Sequence, residues 1–334
     1  MTTVPLIRAI DIGYGNTKFV TRIKDNTIHC DLLPSRAPLL ERSAMGDDGL
    51  VSGRQTVAIP VDGRLYEVGE DTALFKGPPI LHDDYTETPE YLALYRACLG
   101  RMNASRIDAI ITGLPVTQLA QKQDALMQRL SGEHPVGEER IVEVRSVKVF
   151  AQPLGGLIDH RVARDGAWTP EKDDIVHLIV DAGYYTLDWV VAKGLAEVPG
   201  LCGTYDTGVS HVLQAIAKDI GDTTGRPYNN LARLDRGLRE GALEVRGETT
   251  DLAEYLKRTD TVWTNALTEL KNNVGDGSEF DRITLVGGGA RLVRPHIQRL
   301  YPKHSIESVT DSVFANVRGF QTIGHAFQRS LTAA

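Results

Sequence analysis

Two segments far apart in the chain carry the same pattern. The first is Ala9-Ile10-Asp11-Ile12-Gly13-Tyr14-Gly15-Asn16-Thr17-Lys18, and the second is Leu178-Ile179-Val180-Asp181-Ala182-Gly183-Tyr184-Tyr185-Thr186-Leu187-Asp188. Each is an apolar run, then an aspartate, a turn containing glycine, a threonine and a second strand-like run. A strand–turn–strand unit entered twice, each time followed by alternating strands and helices, predicts two α/β lobes of related topology. The length of 334 residues fits, because a single core usually stops growing below that size.

Along the chain, residues 6–12 and 17–23 read as a hairpin, with more strand material at 27–33 and 56–69. The polar stretch 34–55 has no clear element, and Pro78-Pro79 closes the region. Thr88-Pro89-Glu90 has the chemistry of a helix start: a capping hydroxyl, a proline in the first turn and an acid at the positive end. That helix should reach about Arg101 and bury Tyr91, Leu94, Tyr95, Cys98 and Met102. Next come a strand over 107–114, an amphipathic helix over 117–130, one alternating strand over 140–149 and a short helix opening at Gln152. The charged stretch 161–174 is the expected domain boundary. Beyond it, helices are expected over 206–221, 230–241, 251–273, 293–300 and 317–329, with a strand at 283–286 running into Gly287-Gly288-Gly289.

The formal charge of −7 argues against a broad surface for nucleic acid or acidic membrane. The three cysteines, Cys30, Cys98 and Cys202, suit neither a disulfide framework nor a zinc site and favour a reducing compartment. Asp11 comes before any signal-peptide apolar stretch can form, and no apolar run approaches the roughly 18–20 residues that span a bilayer. The expectation is a cytoplasmic protein with no membrane contact and no direct nucleic-acid binding.

The turns carry the chemistry. A carboxylate at the end of a buried strand costs free energy unless something compensates it. Beside a triphosphate, Asp11 and Asp181 can each hold the water shell of Mg²⁺, which prefers oxygen ligands. Gly13, Gly15 and Gly183 let backbone N–H groups approach phosphate oxygens. Asn16, Thr17 and Thr186 can add donors, and Lys18 a cation. Two such turns facing each other can hold a nucleoside triphosphate and its metal from opposite sides. An ordinary glycine hairpin with a surface lysine explains the first segment equally well, and Asp188 can be a structural acceptor within its turn. Gly287, Gly288 and Gly289 offer a surface without side chains for a base and ribose, with Arg291 either stacked on the base or facing water. Gln152 can orient water in line with a γ-phosphorus, or simply satisfy a loop.

The order of Asp11–Lys18, Gln152, Asp181–Asp188 and Gly287–Gly289 resembles the phosphate 1, connect 1, phosphate 2 and adenosine motifs of the actin/Hsp70/sugar-kinase superfamily. Ile283–Val293 and Phe314–Gly324 are similar to the adenosine and connect 2 segments of actin homologues of the ParM/StbA type. The resemblance covers about residues 7–328 and implies a two-lobed actin-like (ribonuclease H-like repeated) α/β ATPase fold with a central nucleotide cleft. Residues 1–165 would form lobe I and 166–324 lobe II, with the helix from about 325 to 334 returning to lobe I. It implies ATP or GTP with Mg²⁺ as cofactors. Asp11 and Asp181 would arrange the metal through water, Lys18 would touch phosphate and Gln152 would place the attacking water. Tyr14, Tyr184 and Tyr185 belong to the phosphate turns. The Tyr184-Tyr185 pair departs from the usual small residues, and ParM has Glu where Gln152 stands. Ala315, Gly319 and Gly324 would allow close helix packing in connect 2.

The activity implied is ATP hydrolysis coupled to self-association into dynamic filaments, acting in plasmid or DNA segregation through a DNA-binding adaptor. The stretches 28–86 and 200–270 are the places family analogy suggests for the polymer interface. A small-molecule kinase of the same superfamily is the alternative. It needs a carboxylate base, for which Asp62, Asp83 and Asp84 are available. A non-polymerising nucleotide switch is the other.

Overall fold

The computed structural model describes residues 4–40, 55–74, 83–137, 139–168, 174–241, 243–245 and 247–332. Pro78-Pro79, most of the 34–55 stretch, residues 169–173 of the expected boundary and the side chain of Asp83 lie outside the described residues. The chain forms two compact units: Met1–Asp173 with Val309–Ala334, and Asp174–Ser308. Residues 309–324, expected with lobe II, thus fall in the first unit.

The first unit begins with β1 (Ile7–Ile12), β2 (Asn16–Lys24) and β3 (Thr27–Pro34), followed by a small hairpin of β4 (Thr56–Val61) and β5 (Arg64–Gly69). Helix α1 (Pro89–Arg101) starts as its sequence predicts, with Thr88 Oγ1 accepting from Tyr91 N at 3.2 Å. Then come β6 (Arg106–Ile107), β7 (Ala109–Leu114), α2 (Val116–Leu130), β8 (Gly132–Pro135), β9 (Ile141–Val144), β10 (Val147–Ala151) and α3 (Gln152–Asp165). The single strand expected over 140–149 is two: β9 pairs with β8 and β6, whereas β10 joins β7 in the main sheet. Likewise 107–114 is split at Asp108, whose carboxylate accepts from Leu6 N at 2.8 Å.

The main sheet runs β10-β7-β1-β2-β3, with β10, β7 and β1 parallel, β2 antiparallel to β1 and β3 antiparallel to β2. Ile10, Phe19, Leu33, Ile110 and Leu114 pack with Leu94, Tyr95 and Leu99 of α1 into one core. Side chains alternate along β1, so Asp11 faces away from this core.

The second unit repeats the design. It holds β11 (Val176–Ala182), β12 (Leu187–Lys193), β13 (Ala196–Tyr205), α4 (Val209–Thr224), α5 (Leu231–Glu240), the hairpin β14 (Leu243–Val245) and β15 (Glu248–Thr250), α6 (Leu252–Lys257), α7 (Thr264–Val274), β16 (Arg282–Val286), α8 (Ala290–Leu300) and β17 (Ser305–Ser308). Its sheet order is β13-β12-β11-β16-β17, again with the first strand central, two strands joined by antiparallel pairing on one side and two by parallel pairing on the other. Trp189, Ile216, Leu285 and Ile297 centre its core. The helix expected over 251–273 is interrupted. Arg258 N donates back to Tyr255 and Leu256 carbonyls, Thr259 Oγ1 donates to Leu256 O, and a 3₁₀ turn follows at Asp260–Trp263. Local side-chain bonding of this kind competes with helix continuation.

The chain then returns to the first unit as α9 (Ala315–Thr332). Val317, Phe320, Gln321 and Ile323 are fully buried there.

Candidate functional site

In the first unit, three predicted residues meet on one carboxylate. Asp11 sits at the end of β1, and its cross-strand partner in register is Lys18 on β2. Lys18 Nζ donates to Asp11 Oδ2 at 3.0 Å, and Gln152 Nε2 donates to Asp11 Oδ1 at 2.8 Å. Asp11 is 1% exposed, so the ion pair and amide bond compensate a charge that burial would otherwise penalise. Gln152 is the first residue of α3, directly after β10, with Pro153 in the first turn. Gly113 on β7 makes room for it: a Cβ there would lie 2.8 Å from Gln152 Cγ. Asp11 and Gln152 lie at the carboxyl ends of the parallel strands β1 and β10, where open α/β sheets bind ligands, and Lys18 reaches Asp11 from the antiparallel β2.

The turn beside Asp11 is closed by Gly13 N donating to Asn16 O at 3.2 Å. Tyr14 stacks on Tyr85 with ring centroids 5.2 Å apart, and Tyr85 meets Tyr91 edge-on at 5.3 Å. Thr17 is fully buried, and its hydroxyl lies 2.9 Å from that of Ser35. The structure therefore turns Thr17 inward, as part of the frame.

In the second unit, Asp181 and Asp188 are opposed in register on β11 and β12 and are 6% and 2% exposed. Thr186 Oγ1 donates to Asp188 Oδ2 at 2.7 Å and Thr204 Oγ1 to Asp188 Oδ1 at 2.6 Å. Asp188 is thus an acceptor that ties the turn to β13. Asp181 lies against the glycine segment: a Cβ on Gly287 would fall 2.1 Å from its Oδ1 and 2.6 Å from Ala182 O. Gly289 N donates to Ala182 O at 2.8 Å, and a Cβ on Gly289 would meet Val209 at 2.8 Å. The room made by these two glycines is filled by protein, which seats the Gly287–Gly289 segment on the strand end; Gly288 is exposed. Arg291 Nη2 donates to Leu238 O at 2.9 Å, binding the end of α5.

The aromatic pair is accommodated by α4. Gly183 O accepts from Val209 N at 3.0 Å and Tyr184 O from Ser210 N at 2.7 Å. Gly208 permits the approach, since a Cβ there would lie 2.7 Å from the Gly183 and Tyr184 backbone. The Tyr184 ring packs on the core of the unit, and the Tyr185 ring lies 5.5 Å from that of His211. His211 Nδ1 accepts from Gly208 N at 3.2 Å, and burial holds its imidazole below the usual histidine range.

Sequence reasoning missed Ser35, Gly113, Thr204, Gly208 and His211, each of which acts through a partner on another element. Among the described residues, no group of three or more His, Cys, Asp or Glu side chains is disposed to hold a metal directly. Among them too, no helix is long and apolar enough to cross a membrane. Of the carboxylates a kinase would call on, Asp84 accepts from Lys122 at 3.0 Å, and Asp62 sits at the β4–β5 hairpin tip at φ 49°.

Residues 9–155 match the family described as actin like proteins, N terminal domain, and residues 179–299 match that of the archaeal actin homologue MreB-like, C-terminal. The chain is an actin-like protein. No curated protein matches this actin-like protein. Among solved structures it is similar to apo psk41 ParM, at 19% identity and TM-score 0.69 over 99% of this chain and 100% of that one. An archaeal actin homologue in complex with ADP matches at 16% identity and TM-score 0.74, covering 96% and 99% of the two chains. The subunit of a 15-stranded ParM filament from Clostridium botulinum matches at 21% identity and TM-score 0.72, covering 97% and 99%. These likenesses establish the actin-like α/β fold.

Proposed function

We propose that this actin-like protein binds ATP or GTP with Mg²⁺, hydrolyses it, and polymerises into cytoplasmic filaments that serve plasmid or DNA segregation through a DNA-binding adaptor. The observation that carries the reading is the buried Asp11 carboxylate, with Lys18 on one oxygen and Gln152 on the other. A structural hairpin needs no such convergence of a strand end, a cross-strand cation and the first residue of a helix 141 positions away. The filament part of the reading leans on the ParM filament among the structural relatives, and the nucleotide part on the relative solved with ADP.

The residues fit the implied groups. Asp11 in the first unit and Asp181 in the second are each hard oxygen donors of the kind Mg²⁺ prefers, and either would hold it through its waters. Bound Mg²⁺ neutralises charge on the phosphoryl oxygens. Lys18 balances Asp11 and keeps further N–H groups for phosphate. In the first unit, main-chain groups of the Gly13–Asn16 turn would bind phosphate; in the second, the Gly183–Tyr185 turn would bind phosphate and the Gly287–Gly289 segment the nucleoside. Because the Gln152 amide nitrogen is held by Asp11, its oxygen is oriented as the acceptor that aligns an attacking water.

Sedimentation and phosphate release with ATP, ADP and a slowly hydrolysed analogue, across protein concentrations, test the proposal. Triphosphate-dependent pelleting, with turnover rising above a critical concentration, is expected. Asp11→Asn and Asp181→Ala should each lower turnover by about 100-fold or more with the fold retained. A protein that stays monomeric and transfers phosphate to a metabolite would instead be the kinase.

A further inference from the structure

The loop that follows β3 reaches back to the Asp11 turn through a single residue, Ser35, by its side chain and its backbone N–H. Ser35 Oγ donates to Gly13 O at 2.5 Å, and Ser35 N donates to Gly15 O at 3.0 Å. With the Ser35 proton committed to Gly13, the contact of 2.9 Å to Thr17 Oγ1 has Thr17 as its donor. Ser35 is 6% exposed and Thr17 fully buried, so these bonds are shielded from water. One residue thus fixes three positions of the turn: 13, 15 and 17.

We infer that Ser35 is a positioning residue for the phosphates, acting through the carbonyls of Gly13 and Gly15; this rests on the nucleotide reading above. The physical link is peptide planarity. In a trans peptide the C=O of one residue and the N–H of the next point in opposite directions, and the described chain has no cis bonds. Drawing the Gly13 and Gly15 carbonyls onto Ser35 turns the N–H groups of Tyr14 and Asn16 away from it. Those are amides that a phosphate-binding turn must aim outward. A glycine-containing turn left to itself samples many orientations, and Ser35 selects one. Thr17 contributes by holding the Ser35 oxygen, so its hydroxyl serves the frame and not the ligand.

The test is calorimetric titration of the full-length protein with ATP, ADP and adenosine, with ligand-observed NMR for the weakest. Ser35→Ala should weaken ATP and ADP by about tenfold while leaving adenosine unchanged, because only phosphates meet the turn. Ser35→Thr, which keeps the hydroxyl, should restore both. Thr17→Val should weaken ATP in the same selective way, and carries the test if Ser35→Ala does not fold. A Ser35→Ala protein that binds ATP as the wild type does overturns the inference. So does one that loses ATP and adenosine alike, since that is a structural defect. A wild-type protein that binds no nucleotide overturns the proposed function itself, and this inference with it.

Discussion

At Gly287 the backbone runs at φ 82°, and a Cβ would lie 2.1 Å from Asp181 Oδ1 and 2.6 Å from Ala182 O. Neither neighbour can retreat easily: one is a buried carboxylate, the other backbone. Gly287→Ala is therefore expected to cost about 2–4 kcal/mol, measured as a shift in the urea midpoint at constant slope. His134 makes a different residue-scale prediction. Its Nε2 shares the Leu130 carbonyl with Tyr95, at 2.9 Å from each, while Nδ1 is buried without a hydrogen-bond partner. A proton on Nδ1 would be a stranded donor, and burial lowers the pKa from 6.5 to about 4. Between those values the unfolded chain binds a proton that the native state does not, so stability falls as pH falls through that window and is complete above it. The contribution at stake is about 3 kcal/mol. Thermal melts from pH 7 to 4 should show this loss, and His134→Gln, which keeps a donor to Leu130 but cannot titrate, should flatten the slope by one proton.

Among elements, the crossing of α3 and α9 is set by glycines. A Cβ on Gly319 would lie 1.7 Å from Gly155 O, and one on Gly155 would lie 2.5 Å from Asn316 O: backbone against backbone. On Gly324 the nearest atoms are side-chain carbons of Ile7 and Ile111, at 2.6 and 2.9 Å. Side chains can shift and main chains cannot, so Gly319→Ala should destabilise by about 3 kcal/mol or more, and Gly324→Ala by less. Chemical denaturation of the two variants gives the order. One ion pair crosses the same helices, with Arg318 Nε and Nη2 on Asp159 Oδ1 and Oδ2 at 2.8 and 2.6 Å. Helix contacts of this kind were partly legible, because Ala315, Gly319 and Gly324 already marked one helix as able to approach another closely. The break between β9 and β10 was not. Apolar alternation over 140–149 says which face is buried, but not that the chain changes sheets at Arg145-Ser146. The strands β13 and β17 escaped notice for a related reason: they are edge strands with mixed exposure, lacking the continuous apolar run of β11 or β16.

For the whole molecule, the two five-stranded sheets share one strand order, so the repeated hairpin is the visible part of a repeated topology. The second unit is one continuous stretch, whereas the first is completed only when the chain returns at Val309. Phe320, with its ring against Gly113 and Gly155, and Gln321, bonded to Ile7 O at 3.0 Å, tie α9 to the sheet that bears Asp11. Deleting residues 309–334 should therefore strip hydrogen-exchange protection from β1 and β7 while β11 and β16 keep theirs. Equal loss in both units would show that the second depends on the first.

What the sequence determined alone was local: two strand-end aspartates, the turns after them, the cap at Thr88 and the glycines. Each follows from residues within a few positions of one another. Tertiary structure decided the rest, because it depended on partners distant in the chain. It brought Gln152 to Asp11 across 141 residues, placed Ser35 under the first turn, and gave Asp188 to Thr204. It also seated Tyr185 beside His211 and put residues 309–324 in the first unit. A carboxylate's role depends on what occupies its oxygens, and that is set by strand register and helix placement, which no single segment contains.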